Sequence, residues 1–241
     1  MIIIPARLAS TRFPEKVLAD IHGLPMVVAT ARAVKSVDEV AVATDSEKVA
    51  EVCRAHGIEA VMTAADHPSG TDRINEAASR LGLGEEEIIL NVQADEPFIE
   101  AEVVRRLKSL VQHHRRDEST MICSLYKHIS PEAARDPNLV KVVTDAANYA
   151  LYFSRSLIPY DRDGGFEGYK GHLGLYGFTR KMLDRFCALP SSILEETEKL
   201  EQLRALSHGY RIAMAEVKTQ SIGIDTPEDL ERALLFSVKS E

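Results

Sequence analysis

Cysteine is scarce in this sequence of 241 residues, which contains only Cys53, Cys123 and Cys187. The three are widely separated, odd in number and free of the CxxC or Cys/His spacing that metal sites use. This argues against a disulfide framework and against structural zinc. We therefore expect the protein to work in a reducing compartment.

An excess of basic residues is also missing, since 29 Lys and Arg stand against 37 Asp and Glu, for a net charge of −8. Nucleic acids and anionic membranes both require a basic surface, so neither is an expected partner. No apolar run approaches the roughly 18–20 residues of a membrane span, and no signal-peptide pattern opens the sequence. The expectation is a globular, cytoplasmic protein.

Three common nucleotide and hydrolase motifs are absent. The sequence contains no G-x-x-x-x-G-K-[ST], no G-x-G-x-x-G and no G-x-S-x-G. A P-loop, a dinucleotide fingerprint and a nucleophile elbow are therefore not expected.

What the first half does contain is an alternation of strand and helix patterns. Residues 1–4, 39–43, 58–62 and 88–92 have strand character, and 25–35, 46–56, 71–81 and 100–114 have helical periodicity. Pro5 cannot continue a strand ladder, so the chain is expected to leave the sheet there. Asp45 is the expected cap of the second helix. This alternation predicts an α/β fold with a mainly parallel sheet flanked by helices.

The pattern changes after about residue 118. Residues 120–126, 140–145 and 149–154 resemble short strands, and the turn at 145–148 predicts a hairpin between the last two. A glycine-rich loop at 159–171, a strand at 172–179, a long helix at 194–208 and a last helix opening at Thr226 follow. We expect one domain, 1–241, with a β-rich antiparallel insert at about 119–178.

The loop after the first strand carries Arg7, Arg12 and Lys16 within ten positions. Three cations beside hydroxyl groups and free backbone amides suit a polyanion such as a nucleoside triphosphate. A solvated surface loop is the alternative.

Two aspartates are candidate metal ligands. Asp95 follows the apolar strand at 88–90, where ligands bind in α/β sheets, and Mg²⁺ would relieve repulsion between Asp95 and a triphosphate. The alternative is that Asp95 caps the turn before Pro97. Asp225 lies directly before the last helix and is either a second metal ligand or a helix cap, although Thr226 can cap in its place.

Further polar residues are less distinctive on their own. Ser69, Thr71 and Arg73 lie at a turn that feeds a helix N-terminus, which offers hydroxyls, amides and a guanidinium to an anion or a base. For His172, Glu201 and Gln202, a surface or packing role is the simpler explanation from the residues alone.

Taken together and in this order, these segments resemble the 3-deoxy-manno-octulosonate (Kdo) cytidylyltransferase family, also called CMP-Kdo synthetases. The resemblance covers essentially the whole chain. It is carried by eight segments, namely 4–16 with Arg7, Arg12 and Lys16, 42–45, 69–73, 91–97, 149–159, 172–176, 200–204 and 225–230.

The resemblance implies a nucleotide-diphospho-sugar-transferase-like fold and transfer of CMP from CTP to the anomeric hydroxyl of Kdo, with Mg²⁺ as cofactor and pyrophosphate as the leaving group. It also implies a homodimer joined through the insert. Arg12, Lys16 and Asp95 are then the catalytic candidates, and Asp95 and Asp225 the metal ligands. The implied nucleotide-binding residues are Arg7, Arg12, Lys16, Ser69, Thr71 and Gln93, and the implied sugar-binding residues are Arg73, Arg162, His172, Glu201 and Gln202.

The sequence departs from the family pattern at two positions. Ala94 and Glu15 stand where members of the family commonly have glycine. Ala94 disfavours a positive φ beside Asp95, and Glu15 places a negative charge in the triphosphate loop, so it is expected to face outward or to pair with a cation. Two alternative functions remain at this stage: a cytidylyltransferase for another acid sugar, such as sialic acid or 8-amino-Kdo, and a non-catalytic nucleotide-binding regulator.

Overall fold

The computed structural model describes residues 1–8 and 13–237. Arg12, one of the expected anion-binding residues, lies outside the described residues. The chain divides into two compact units, Met1–Arg105 with Thr219–Glu241, and Arg106–Lys218. The segment predicted as an insert, 119–178, falls within the second unit. In the described part of the chain, no helix is long and apolar enough to cross a membrane.

The helices and strands of both units alternate along most of the chain. In chain order they are β1 (Ile2–Ala6), β2 (Asp20–Ile21), β3 (Leu24–Pro25), α1 (Met26–Val34), β4 (Val40–Thr44), α2 (Glu47–Ala55), β5 (Glu59–Met62), α3 (Gly70–Arg80), β6 (Ile88–Asn91), α4 (Ala101–His114), β7 (Thr120–His128), β8 (Lys141–Thr144), β9 (Ala150–Ser154), β10 (Lys170–Thr179), α5 (Arg180–Ala188), α6 (Ile193–Glu198), α7 (Leu203–Ser207), β11 (Arg211–Glu216) and α8 (Pro227–Ser237).

The first unit contains a parallel sheet with the strand order β6, β1, β4, β5. Ile2, Ile3 and Ile4 of β1 are fully buried, as expected for a strand covered on both faces. From β1 the chain adds β4 and β5 on one side and then returns to place β6 on the other. The strand order thus reverses between β1 and β6, and ligands bind beyond the carboxyl ends of strands at such a point.

The prediction that the chain leaves the sheet at Pro5 is wrong. Pro5 is part of β1 and lies in register with Ala43 of β4. The carbonyl of Ile3 accepts from Val92, so Ile3, and with it Pro5 two positions later, faces the β6 side. The β6 ladder ends at the pair of Ile3 and Asn91. The missing N–H of proline therefore removes no ladder bond.

Serine side chains cap the N-termini of two helices of the first unit. The hydroxyl of Ser69 accepts from the amide of Asp72 at 3.1 Å and caps α3. Helix α2 is capped by Ser46, whose hydroxyl accepts from Val49 at 3.4 Å, so the prediction that Asp45 caps it is wrong. Asp45 instead makes an ion pair with Arg73.

The second unit has a sheet with the strand order β11, β7, β10, β8, β9, in which only β11 and β7 are parallel. The predicted hairpin is confirmed, since β8 and β9 pair as antiparallel neighbours. The carboxylate of Asp145 closes its turn by accepting from the amides of Ala147 and Tyr149 at 2.9 and 2.8 Å. The predicted antiparallel character of this region is thereby confirmed.

The single long helix predicted at 194–208 is wrong. The structure has two short helices, α6 and α7, with Lys199 between them in the left-handed region at a φ of 54°. A residue in that region ends the helical ladder, although the side-chain pattern on both sides remains helical.

Candidate active site

A cavity of about 340 Å³ lies in the first unit, where the loops after β1 and β6 begin. Its volume falls in the range of small-molecule sites, about 300–1,000 Å³. The cavity lies at the reversal of strand order between β1 and β6, where the topology favours ligand binding. The lining residues are Pro5, Arg7, Lys16, Val17, His67, Pro68, Ser69, Gly70, Arg73, Gln93, Ala94, Asp95 and Asp225.

Two carboxylates and one ammonium group meet at the wall of this cavity. Nζ of Lys16 lies 2.6 Å from Oδ2 of Asp95 and 3.0 Å from Oδ1 of Asp225. The backbone also joins the two aspartate segments, because the amide of Ile224 donates to the carbonyl of Asp95 at 2.9 Å. The fold thus brings together three charged residues that are far apart in the sequence.

The contacts of Lys16 bear on whether Asp95 and Asp225 act as caps. The hydroxyl of Thr226 accepts from the amide of Asp229 at 3.2 Å, so Thr226 caps α8 and the carboxylate of Asp225 is used by Lys16. Among the described residues, no backbone amide donates to the Asp95 carboxylate, which also contacts Lys16. The contact with Lys16, rather than a cap, is therefore what the two carboxylates share.

Asp95 and Asp225 stabilise the charged form of Lys16. Burial alone would lower the pKa of Lys16, but the attraction and hydrogen bonds of Asp95 and Asp225 outweigh it, so its pKa is raised. The side chain of Lys16 is 13% exposed, that of Asp95 27% and that of Asp225 50%. The ammonium group therefore stays protonated, and the two carboxylates already hold a cation between them.

The loop after β6 is fixed by a buried hydroxyl from α1. Thr30, fully buried, donates to the carbonyl of Ala94 at 2.9 Å. Gln93 donates from Nε2 to Oδ1 of Asn91 at 3.4 Å and lines the cavity. Thr30 was not a sequence candidate, because a threonine within an apolar helix carries no functional signal.

The other predicted nucleotide-binding residues have different environments. Arg7 is exposed at the cavity, and Ser69 lines it while capping α3. Thr71 is fully buried and does not line the cavity. Of this predicted set, the structure therefore brings Arg7, Lys16, Ser69 and Gln93 to one cavity.

Arg73, a predicted sugar-binding residue, also lines this cavity but is 4% exposed. Its Nη1 donates to Oγ1 of Thr63 at 2.6 Å and to the carbonyl of Ala64 at 3.2 Å. Its Nη2 lies 3.3 Å from Oδ2 of Asp45. These partners hold the guanidinium in one orientation at the cavity wall.

His67 also lines the cavity, although it is not among the predicted site residues. Its Nε2 lies 2.5 Å from Oε2 of Glu76, which also accepts from the amide of Ala64 at 2.8 Å and from Arg80. Burial alone would raise the pKa of Glu76, but these hydrogen bonds outweigh it and lower the pKa to about 2. In the sequence, the feature that could have indicated a site role for His67 is its position in the loop between the strand at 59–62 and Ser69.

Four of the five predicted sugar-binding residues belong to the second unit. His172 and Gln202 lie on either side of Tyr176, whose hydroxyl donates to Oε1 of Gln202 at 3.0 Å and whose ring centroid is 5.6 Å from that of His172. Nε2 of Gln202 is buried and has no hydrogen-bond partner among the described residues. Glu201 is the neighbour of Gln202 and raises the pKa of Tyr176 further, beyond the larger effect of burial. Arg162 is exposed in the loop before β10.

The donor set at Asp95 and Asp225 fits a magnesium ion. Two carboxylates converge on one cationic group, and hard cations prefer oxygen ligands of this kind. Within residues 1–8 and 13–237 there is no group of three or more His, Cys, Asp or Glu residues that could hold a metal. Two carboxylates without further protein ligands suit Mg²⁺, which fills its remaining positions with phosphate oxygens and water.

Comparison with known proteins identifies the family of this chain. A family model described as Cytidylyltransferase matches residues 1–212. A 3-deoxy-manno-octulosonate cytidylyltransferase of a Nitratiruptor species is 59% identical over 96% of this chain and 97% of its own. The chain belongs to the 3-deoxy-manno-octulosonate cytidylyltransferase family. The enzyme of that name from Wolinella succinogenes is 58% identical over 97% of this chain and 98% of its own.

A solved structure of CMP:2-keto-3-deoxy-manno-octonic acid synthetase complexed with CTP is similar over 100% of this chain and 98% of its own, with a TM-score of 0.89 and 40% identity. The predicted family and fold class are thereby confirmed. The chain is a nucleotidyltransferase of the cytidylyltransferase family, with a mainly parallel sheet flanked by helices.

The two departures from the 3-deoxy-manno-octulosonate cytidylyltransferase pattern differ in their structural effect. Glu15 is in the left-handed region at a φ of 52°, which glycine adopts more easily. Its carboxylate pairs with Nζ of Lys48 at 2.7 and 2.8 Å, so Glu15 faces a cation, as expected. Ala94 does not have a positive φ, so its Cβ causes no backbone strain beside Asp95.

Proposed function

We propose that this protein transfers CMP from CTP to Kdo, forming CMP-Kdo and pyrophosphate. The observation that carries the proposal is the convergence of Asp95 and Asp225 on one cation at the wall of the cavity that Arg7 also lines. Two carboxylates beside cationic groups are what a metal-dependent reaction of a nucleoside triphosphate requires. The relatives of the same family are named for the same reaction.

Arg7 and Lys16 are the residues that bind the triphosphate in this proposal. Phosphoryl and nucleotidyl transfer depend mainly on positioning and on neutralising charge. A contact between a charged donor and phosphate contributes about 1.5–3 kcal/mol. Arg12, by its place in the same loop, is proposed to act with them. Ser69 and Gln93, which line the same cavity, would face the cytidine.

Asp95 and Asp225 would hold Mg²⁺. Bound there, the metal supplies positive charge at the reacting phosphate and lowers the pKa of the attacking sugar hydroxyl, so no dedicated protein base is required. The protein's own contribution is to fix the two carboxylates: Ile224 is hydrogen-bonded to the Asp95 carbonyl, and Thr30 to that of Ala94. Lys16 must then leave the carboxylates and bind the phosphates.

The sugar acid is proposed to bind Arg73, Arg162, His172, Glu201 and Gln202. The buried position of His172 and the unpartnered Nε2 of Gln202 support this role, because a buried polar atom without a partner among the described residues is costly unless a ligand satisfies it. Arg73 offers a fixed guanidinium, a group that suits a carboxylate.

Three broader features belong to the same proposal. We place the reaction in lipopolysaccharide biosynthesis and in the cytoplasm, where Cys53, Cys123 and Cys187, which form no disulfide among the described residues, would stay reduced.

We also propose a homodimer formed through the β-rich segment 119–178. Leu151 on β9 supports it, because this apolar side chain is 62% exposed. Light scattering of the wild type and of Leu151→Glu would test the dimer, which should weaken in the variant.

The function is tested by measuring pyrophosphate release from CTP with Kdo and Mg²⁺. We expect turnover with Kdo, about a hundredfold to a thousandfold slower in Asp95→Asn, the range for removing one electrostatic contact that stabilises the transition state. Glu59→Gln is the matched control, because it removes an exposed carboxylate from β5, outside the cavity. Near-normal turnover in Asp95→Asn would contradict the metal assignment.

The same assay separates the alternatives. A panel of sialic acid, 8-amino-Kdo and Kdo decides between cytidylyltransferases that share the nucleotide site. Tight CTP binding without turnover on any acid sugar would favour a nucleotide-binding regulator. The paired carboxylates favour an enzyme over a regulator, and the family membership favours Kdo among the acid sugars.

A further inference from the structure

A buried serine of the second unit contacts the predicted sugar-binding histidine. Ser124 lies on β7 opposite an irregularity in β10, where the register passes from the pair of Leu173 and Leu125 to the pair of Tyr176 and Ser124. Gly174 and Leu175 of β10 lie between these two pairs and form the bulge. Ser124 is fully buried beside it.

The hydroxyl of Ser124 has three polar neighbours. Its Oγ lies 2.8 Å from Nε2 of His172, 2.7 Å from the carbonyl oxygen of Leu175 and 3.3 Å from that of Leu173. A carbonyl oxygen can only accept, and the hydroxyl has a single proton. The 2.7 Å contact therefore requires that the Ser124 proton points to Leu175.

This arrangement determines the tautomer of His172. With its proton on Leu175, Ser124 can only accept at the contact with Nε2, so Nε2 of His172 carries the ring proton. A neutral imidazole then has an unprotonated Nδ1, which is an acceptor. No described residue hydrogen-bonds to Nδ1. Phe153 packs edge-on against the imidazole, with ring centroids 4.8 Å apart, and burial lowers the pKa of His172 to about 3, so the ring is neutral.

We propose that Ser124 is a positioning residue that holds His172 as the Nε2–H tautomer and so presents Nδ1 as an acceptor for a hydroxyl group of the sugar acid. The proposal rests on the proposed function, in which His172 binds that sugar. A site that accepts from a hydroxyl discriminates against an analogue that lacks it, because the buried acceptor is then left unpaired. Ser124 thereby contributes to sugar specificity without touching the sugar.

A purely structural role predicts something different. If Ser124 only satisfies the carbonyl of the bulge, its loss lowers stability and leaves the tautomer of His172 unchanged. The decisive measurement is therefore the ring nitrogen spectrum of full-length protein labelled with ¹⁵N-histidine. The His172 signals are assigned from their loss in His172→Phe, which keeps a ring of similar volume without nitrogen atoms.

In the wild type we expect the Nε2–H tautomer of His172, and in Ser124→Ala a mixture of tautomers. The KM for Kdo should rise about threefold to tenfold in Ser124→Ala, the range for one lost neutral hydrogen bond, and the KM for CTP should stay the same. In the His172→Phe background, Ser124→Ala should have no further effect on the KM for Kdo, because Ser124 acts through His172.

Thr120→Val is the matched control, since it removes another buried hydroxyl from β7, one that donates to Asp117 at 2.7 Å. It should change the melting temperature alone. An Nδ1–H tautomer in the wild type, or additive effects of Ser124→Ala and His172→Phe on the KM for Kdo, would overturn the inference. Wild-type protein that does not turn over Kdo would instead overturn the proposed function, so the two failures are distinguishable.

Discussion

Replacing Lys16 by methionine is the sharpest test of the charge arrangement at the cavity. Lys16 holds both carboxylates that are proposed to bind Mg²⁺, at 2.6 and 3.0 Å. A metal ion that binds Asp95 and Asp225 in the absence of nucleotide must therefore displace an ammonium group. Lys16→Met removes this competitor and keeps most of the apolar side chain. We expect it to bind divalent cations more tightly than the wild type.

The size of the effect follows from the exposure of the two carboxylates. The contact with Asp95, whose side chain is 27% exposed, is a charged hydrogen bond worth about 1.5–3 kcal/mol. The contact with Asp225, whose side chain is 50% exposed, is screened by solvent and contributes at most about 1 kcal/mol. The sum is about 1.5–4 kcal/mol, and a factor of ten in affinity corresponds to about 1.4 kcal/mol. The Kd for the metal should fall by at least about tenfold.

The assay is calorimetric titration of nucleotide-free protein with Mn²⁺ and with Mg²⁺. Lys35→Met is the control, because it makes the same change of net charge at an exposed position. With CTP present the difference in metal affinity should shrink, since the triphosphate gives Lys16 another anionic partner, whereas the KM for CTP should rise in Lys16→Met. Metal binding in nucleotide-free Lys16→Met that is equal to or weaker than that of the wild type would refute the reasoning.

Three further outcomes are expected. Asp225→Asn should weaken Mn²⁺ binding with little change in melting temperature. Thr226→Ala should instead lose about 1 kcal/mol of stability, the usual contribution of a helix cap, at unchanged Mn²⁺ affinity. The reverse pattern would show that Asp225, and not Thr226, caps the helix. Because the pKa of Glu76 is lowered from 4.5 to about 2, its carboxylate stabilises the fold above pH 4.5 and loses this effect as the pH falls towards 2. The melting temperature of Glu76→Gln should therefore depend less on pH in that range, and an unchanged profile would contradict the shift. Glu15→Gly should leave the stability unchanged or raise it by about 1 kcal/mol, because relief of the left-handed backbone offsets the exposed ion pair with Lys48; a clear loss in a denaturant titration would show that the ion pair dominates.

The fold could be predicted well where local pattern and topology agree. The parallel sheet followed from apolar runs alternating with helical periodicity, and the hairpin from the turn at 145–148. The failures occurred where a contact distant in sequence or a rare backbone conformation decides the local structure. Pro5 stays in β1 because the β6 ladder has already ended on the side that it faces. The helix at 194–208 is divided because Lys199 adopts a left-handed conformation that lysine rarely takes.

The candidate site could likewise be predicted only in part. Residue types and segment order were enough to select Arg7, Lys16, Asp95 and Asp225, and the fold places all four at one cavity. The partners of these residues could not be predicted. Lys16 contacts carboxylates 79 and 209 positions away, and no local pattern encodes those distances. The tautomer of His172 depends likewise on a serine 48 positions away.

The position of Lys16 also explains how one cavity can serve both a metal ion and a polyanion. Two carboxylates held this close to each other repel unless a cation lies between them, and without ligands the ammonium group of Lys16 supplies that charge. A triphosphate that arrives alone would meet Asp95 and Asp225 as well as Arg7, so its affinity depends on how completely those carboxylates are neutralised. The single positive charge of Lys16 cannot neutralise two carboxylates and a triphosphate at the same time. Productive binding of the nucleotide therefore requires a second source of positive charge, and we expect the affinity for CTP to depend much more steeply on Mg²⁺ concentration in the wild type than in Asp95→Asn.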